Sequence, residues 1–342
     1  MAIRMKDIAR DLGVSIVTVS KVLSNDHDIG LKTRERVLRR IKELNYQPNP
    51  TARALATGRT HLIGLVVPDL VHQFFAQVAK GASRVFRKKG YGLIITSSEE
   101  DQELERQEID QMIARRLDAL IVASTQLTPD VFQTAEAHHR NYVLIDRRIK
   151  GLHAHFVGID DVRVGAMATG HLLENGCRKI AYIGGRFAST AVDRLTGFRQ
   201  ALRLCGQTVN ERYVMCRNHF DDSADATGYA AMKRLLQMKS PPDGVFCAND
   251  PVAVGAMNAI LEAGLNIPND VALIGCGNTL YGPLLRVPLS SIDQDTEMLG
   301  ELAAKVTLEL LDSKEKLPPK DILLEPKLIV RESSQKNGLP KV

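Results

Sequence analysis

No run in the 342-residue sequence approaches the ~20 consecutive apolar residues that a membrane span needs. The opening MAIRMKDIARDLG has no apolar core followed by a cleavage site, so no secretory signal is expected and the protein is placed in the cytoplasm. The five cysteines (177, 205, 216, 247 and 276) are odd in number and form no CxxC pair. They read as reduced thiols, mostly small core hydrophobes, and not as a disulfide framework or a zinc site. GxSxG, GxGxxG, a P-loop and HExxH are all missing. An enzyme reading therefore lacks a nucleophile elbow, a dinucleotide or phosphate loop, and a metalloprotease helix. His138 with His139, and His153 with His155, stand without acid or thiolate partners at metal spacing and read as surface histidines. Neither a metal nor a cofactor is expected. Low-complexity tracts, fixed-period repeats and a C-terminal heptad pattern are also lacking.

What is present is unevenly placed. In total, 45 Lys and Arg against 40 Asp and Glu leave a net charge of only +5. Residues 1–60 hold 12 basic against 6 acidic side chains, whereas residues 61–342 hold 33 against 34. A small basic module in front of a near-neutral body is an electrostatic footprint for a polyanion.

Residues 5–45 read as three short helices. Ile8, Ala9 and Leu12 form an apolar edge, Gly13 suits a left-handed turn, and Ser15 can cap the next helix, whose buried stripe is Val19, Val22 and Leu23. A third helix from about Lys32 to Asn45 turns Val37, Leu38, Ile41 and Leu44 inward. The spacing of IARDLGVSIVTVSKVL is that of a helix-turn-helix. On its second helix Ile16, Val17, Ser20 and Lys21 share the outward face. Exposed β-branched side chains beside a lysine are costly unless covered. A DNA major groove would cover them, with aliphatics on thymine methyls and lysine on guanine; packing against a neighbouring helix is the alternative. Arg34, Arg36, Arg39, Arg40 and Lys42 read as a solvated face. NPTARALATGR (49–59) offers about two helical turns, too short to be stable alone in water.

From His61 onward, apolar runs alternate with helical stretches: 62–67, 92–97, 119–123, 142–146, 156–159, then 179–184, 213–216, 244–248 and 271–275. A helix follows over 292–313 and a late strand over 322–330. Near-continuous apolar strands separated by helices predict an α/β body of two doubly wound parallel lobes, with a cleft beyond the strands' carboxyl ends.

MKDIARDLGVSIVTVSKVLSN, then KTRERVLRRIKELNYQPNPTARALATGRTHLIGLVVPD, resembles the lactose/galactose-repressor (LacI/GalR) family of bacterial transcription regulators. The later runs LIDRR, GHLLENGCRKIAYIGG, RLTGFRQAL, VFCANDPVAVGAMNAI and SSIDQ extend the resemblance to about Glu332. It implies a helix-turn-helix domain over 1–48, a hinge helix over 49–60, and a periplasmic-binding-protein-like effector and dimerisation domain over 61–342. Chain crossings near 160, 292 and 321 would divide that body into lobes of 61–160 with 293–320 and 161–292 with 321–332. Ile16, Val17 and Lys21 would read base edges, while Lys6, Ser15, Thr18, Ser20, Ser24, Thr33 and Arg53 would touch phosphates or neighbouring edges. Leu55 would wedge into the minor groove against its twin in a homodimer. Gly30 stands where relatives carry a serine cap, so the third helix starts more loosely.

In the cleft the resemblance points to Asp69, Phe74, Phe75, Ser124, Asp146, Arg194, Phe220, Asn249 and Gln294 as effector-binding residues. Asp250 with Pro251 reads as a helix cap, and one of the two phenylalanines as core. Gly277 stands where sugar-responsive relatives place an aspartate, and Ala188 where purine-responsive ones place an arginine. Those departures count against a purine and favour a sugar acid or sugar phosphate over a neutral sugar. The expected function is operator binding as a homodimer, modulated by a small effector. The rival is a regulator whose body only dimerises or binds a protein partner.

Overall fold

The computed structural model describes residues 3–23, 28–47, 54–55, 57–216 and 223–336. It divides into a small unit over Met1–Thr60 and a large one over His61–Val342. Ser24, Arg53 and Phe220 lie outside the described residues, as does half of the hinge.

The small unit is a three-helix cluster: α1 (Met5–Leu12), α2 (Ile16–Leu23) and α3 (Leu31–Glu43). Ile8 and Ala9 from α1, Val19 and Val22 from α2 and Val37 from α3 form its buried core. Gly13 ends α1 in the left-handed conformation at φ 65°, which glycine adopts without a Cβ penalty. The Ser15 hydroxyl then caps α2 by accepting from the Thr18 backbone N–H at 3.0 Å. Gly30 precedes α3 and supplies no side-chain cap.

Two expectations about α3 need correction. Leu38 is 47% exposed, because the short helix turns only one narrow stripe to the core, centred on Val37. The arginines are not all a solvated face. Arg36 Nη2 donates to the Leu12 carbonyl at 3.0 Å, and Arg40 Nη2 to Asp11 at 2.7 Å, so both fasten α3 to α1.

The large unit holds two six-stranded sheets. Sheet one, in the order β11-β5-β4-β3-β1-β2, contains β1 (Leu62–Val67), β2 (Gly92–Ser97), β3 (Ala119–Val122), β4 (Asn141–Ile145), β5 (His155–Ile159) and β11 (Asp321–Leu324). Sheet two, in the order β12-β10-β9-β8-β6-β7, contains β6 (Ile180–Gly184), β7 (Val214–Cys216), β8 (Gly244–Cys247), β9 (Ala272–Cys276), β10 (Ser290–Asp293) and β12 (Lys327–Ile329). Among the described residues only β12, on an edge, runs antiparallel to its neighbour. The inner strands β3, β8 and β9 are buried along their length, as parallel strands covered on both faces must be.

Eight helices cover the sheets. α4 (Gln73–Lys88), α5 (Gln102–Ala114), α6 (Asp130–Ala137) and α11 (Thr296–Asp312) belong to the first lobe. α7 (Asp161–Glu174), α8 (Ser189–Leu204), α9 (Ala224–Leu236) and α10 (Asp250–Glu262) belong to the second. Three helix pairs meet through reciprocal glycines: Gly81 and Gly300 between α4 and α11, Gly165 and Gly197 between α7 and α8, Gly228 and Gly255 between α9 and α10. A Cβ on any of the six would lie within about 2.1 Å of a carbonyl oxygen of the facing helix.

The chain passes from sheet one to sheet two after β5, at Asp160, and back after β10, around Asp293–Asp295. The third crossing is later than 321. The segment read as one strand over 322–330 is two: β11 completes sheet one beside β5, and β12 joins sheet two beside β10. Glu325 and Pro326 are the link between them. The run 290–293, expected to open the helix over 292–313, is instead strand β10, placed inside sheet two by pairing with β9 and β12. His155 was read as a surface histidine but is buried. Its Nδ1 accepts from the Lys320 backbone N–H at 3.2 Å and so fastens the approach to β11.

Candidate functional site

The small unit presents one unusual surface. Val19 and Val22 fill the core side of α2, and Ile16 and Val17 on the other side are 51% and 64% exposed. Lys21 stands on the same helix and pairs with Asp28 at 3.1 Å, both side chains reaching solvent. An exposed pair of this kind contributes only ~0–1 kcal/mol, so a polyanion can replace Asp28 cheaply. Lys6 and Ser20 are exposed, Thr33 is half-buried, and Thr18 shares a 2.8 Å hydrogen bond with Ser15. Ala54, Leu55 and Thr57 are helical, Gly58 N–H closes a turn onto the Ala54 carbonyl at 2.8 Å, and Leu55 is 76% exposed.

In the large unit, a cavity of about 140 Å³ opens between the lobes at the carboxyl ends of the strands. Glu100 and Arg147 line it from the first lobe; Arg186, Arg194, Ala248 and Asn249 are among those lining it from the second. It lies beside β6 and β8, where sheet two reverses its strand order, the place where open α/β sheets bind ligands. The lobes also touch directly: the Leu280 N–H donates to Gln73 Oε1 at 3.2 Å, and the Arg148 N–H to the Ser189 hydroxyl at 2.8 Å.

Arg194 is buried. Its Nε donates to Asp161 at 2.7 Å and its Nη1 to the Ala248 carbonyl at 2.6 Å. Burial disfavours its charge, but Asp161 together with its other neighbours, Asp146 among them, outweighs burial and holds the guanidinium ionised. Burial pushes the Asp161 carboxyl up to about 7 against the pull of Arg194. The pair lies within the second lobe and does not bridge the cleft.

Asp146 is buried at the end of β4, in the left-handed region at φ 60°. Burial raises its carboxyl, opposed by Arg147 and Arg194. Ser124 donates its hydroxyl to Glu105, which also accepts from Thr125 N–H and Oγ1; Glu105 thus fixes the loop after β3 from beneath. Gln294 is buried with its Nε2 unpartnered among the described residues.

Four expected ligand residues are engaged in the first lobe's core, a turn or a helix cap, Asn249 while also lining the cavity. Phe74 and Phe75 both sit in the first lobe's core, ring centroids 5.0 Å apart, because both fall on the buried stripe of α4. Asp69 accepts from the Val71 N–H at 2.7 Å in a local turn. The helix cap passes from Asp250 to Asn249, and Asp250 stays structural. Asn249 Oδ1 caps α10 through the Val252 N–H at 2.9 Å, while Asp250 is buried and accepts from Thr279 N–H, Thr279 Oγ1 and Ser291 Oγ. The helix starts one residue earlier than expected, which moves the cap from Asp250 to Asn249. At Gly277 a Cβ would lie 3.7 Å from Asp250 Oδ2, so a carboxylate there would meet another one.

Glu100, Glu105, Arg147, Asp161 and Arg186 were missed by sequence reasoning. The run LIDRR contains Arg147, but an arginine beside a strand end has no local signature that separates a ligand group from a surface charge.

Residues 4–49 match the family described as bacterial regulatory proteins, lacI family, and residues 169–334 match a periplasmic binding protein-like domain. The chain is 31% identical to the HTH-type transcriptional regulator RegA of Clostridium saccharobutylicum, over 98% of this chain and all of that one. It is also 31% identical to the HTH-type transcriptional repressor PurR of Vibrio cholerae, over 91% of this chain and 92% of that one. Among solved structures it resembles the regulator CelR in complex with cellobiose, with a TM-score of 0.72 at 28% identity, covering 97% of this chain and 99% of that one. The lac repressor dimer bound to operator and an anti-inducer shares the fold with a TM-score of 0.85 at 24% identity, covering 98% and 99% of the two chains. Among the described residues no helix is long and apolar enough to cross a membrane, and no three His, Cys, Asp or Glu gather where they could hold a metal.

Proposed function

Because the chain belongs to the LacI family of bacterial regulatory proteins, we propose that this DNA-binding transcriptional regulator acts in the cytoplasm as a homodimeric repressor of a pseudo-palindromic operator. Two copies of α2 enter adjacent major grooves. Ile16 and Val17 cover thymine methyls and Lys21 reaches a guanine. Lys6, Ser15, Thr18, Ser20, Ser24, Thr33 and Arg53 set the register on phosphates and neighbouring edges. Leu55 wedges into the central minor groove beside its twin.

The observation that carries this reading is the outward face of α2, where Ile16 and Val17 are left uncovered although the helix already has a complete buried stripe.

A small sugar-like or sugar-acid effector occupies the cavity between the lobes and changes their relative angle. Operator affinity then shifts in proportion to the difference in the effector's affinity for the two arrangements. Asp146, Arg147, Arg194 and Gln294 are the side chains in or around the cleft offered for it.

Selection from randomised duplexes tests the DNA reading. A two-fold symmetric consensus is expected, and uniform recovery of unrelated sequences would reject it. Thermal unfolding against a panel of sugars and sugar acids tests the effector; no shift with any of them would favour a body that only dimerises or binds a protein.

A further inference from the structure

The cavity between the lobes already holds a carboxylate of the protein's own. Arg147 Nη1 donates to Glu100 Oε2 at 2.7 Å and Nη2 to Glu100 Oε1 at 2.6 Å, the two-pronged geometry in which a guanidinium grips a free carboxylate. Both partners line the cavity. Both are also held out by unfavourable backbone: Glu99 and Glu100 have φ of 51° and 59°, and Asp146, just before Arg147, has φ of 60°. Side-chain-bearing residues avoid this left-handed region, and it persists where the surroundings impose it, commonly at ligand sites.

The other charged side chains of the lining are cationic. Arg186 and Arg194 face the same space from the second lobe, and Asp161 holds Arg194 from within that lobe. Gly277 brings no carboxylate there.

We infer that Glu100 is a placeholder for the carboxylate of an acidic effector, a sugar acid whose two oxygens take over both Arg147 donors while Glu100 moves out to water. This rests on the reading of the cleft as the effector site. The exchange is chemically balanced: one carboxylate leaves a guanidinium and another arrives. Arg147 is the more buried partner and, without Glu100, keeps only the looser approach of its Nε to Asp146 at 3.7 Å, whereas Glu100 sits on a surface loop and regains hydration when it departs. A neutral sugar displaces Glu100 poorly, since its hydroxyls would exchange two charge-assisted hydrogen bonds for neutral ones. A tethered group of this kind competes at high effective concentration and lowers the apparent affinity for the true ligand.

The test is calorimetric titration at fixed ionic strength with matched compounds: D-glucose, D-glucuronate and D-gluconate; D-galactose, D-galacturonate and D-galactonate; and D-glucose 6-phosphate. At least one sugar acid is expected to bind while its neutral partner does not. Glu100→Gln should tighten that acid by tenfold or more, and Arg147→Gln should abolish it. If Glu100→Gln fails to fold, Glu100→Asp serves, since it keeps the charge but shortens the reach, and tightening is again expected. Unchanged or weaker acid binding in the Glu100 variant, or neutral sugars bound as well as acids, overturns the placeholder while leaving an effector in the cleft. Tightening confined to the phosphate ester overturns the carboxylate assignment. No binding by wild type or variant overturns both readings.

Discussion

Lys21 illustrates how a single side chain can be committed and available at once. Its bond to Asp28 is made at the surface, where water screens it, so its release costs little compared with a base contact worth ~1–3 kcal/mol. Lys21→Ala is therefore expected to relax preference at one operator position; uniform weakening on all sequences, measured by competition binding, would make it a phosphate contact. Leu55→Ala should weaken specific binding and spare nonspecific binding, whereas Lys6→Ala should flatten the log–log salt dependence by about one unit. At this scale the sequence was legible where the chemistry is local. Gly13 and Ser15 declare their turn and cap by residue type alone. Arg36 and Arg40 were not legible, because their partners Leu12 and Asp11 are 24 and 29 residues away. The cap at Asn249 rather than Asp250 was not legible either: either side chain can cap a helix, and only the helix's first turn decides between them.

Helices and strands meet here by close approach rather than by bulky interdigitation. In α7, Gly165 lies against the Arg194 carbonyl, while Gly170 on the same helix has nothing within 4 Å of where a Cβ would stand. Gly165→Ala should cost about 1–3 kcal/mol by overpacking and displace Arg194, whereas Gly170→Ala should gain up to about 1 kcal/mol from helix propensity. Urea denaturation of the two variants gives opposite signs if the glycine crossing is as described. Two buried histidines give the elements a pH limit. Burial lowers His155, assisted by Lys320 and opposed by Leu317 and Glu309, and burial lowers His171, opposed by Glu174. Each is neutral when folded and titrates near 6.5 when unfolded, so their contribution is present above about pH 6.5 and is lost as pH falls below it. The histidine contribution should therefore fall between pH 7 and pH 5, while Asp161, raised to about 7, acts in the opposite sense. His155→Gln should thus shift the slope of unfolding free energy against pH towards greater stability at low pH relative to wild type. Nine apolar runs sufficed to find most of both sheets, because buried parallel strands are continuous and hydrophobic. β10 escaped because its SSID sequence is half hydroxyl: Ser290 and Ser291 satisfy their buried oxygens through Arg331 and Asp250.

As a whole, the molecule separates charge from shape. The small unit carries +6 and the large one −1, so residues 61–342 expressed alone should keep cooperative unfolding and ligand response but show no retention on DNA at moderate salt. Nonspecific binding by that fragment, in a filter or gel assay, would relocate part of the DNA surface to the body. The placement of strands from the last part of the chain has a different consequence, in the order of synthesis. α11 and β11 complete the first lobe, β10 and β12 complete the second, and all four follow residue 289. A nascent chain thus finishes its DNA-reading helices early, yet holds the apolar face destined for Leu299, Ala303 and Leu310 uncovered until translation is nearly done. For that interval the half-made chain carries exposed apolar surface and an unfinished cleft, an aggregation liability that ends only when the last helix and strands are made.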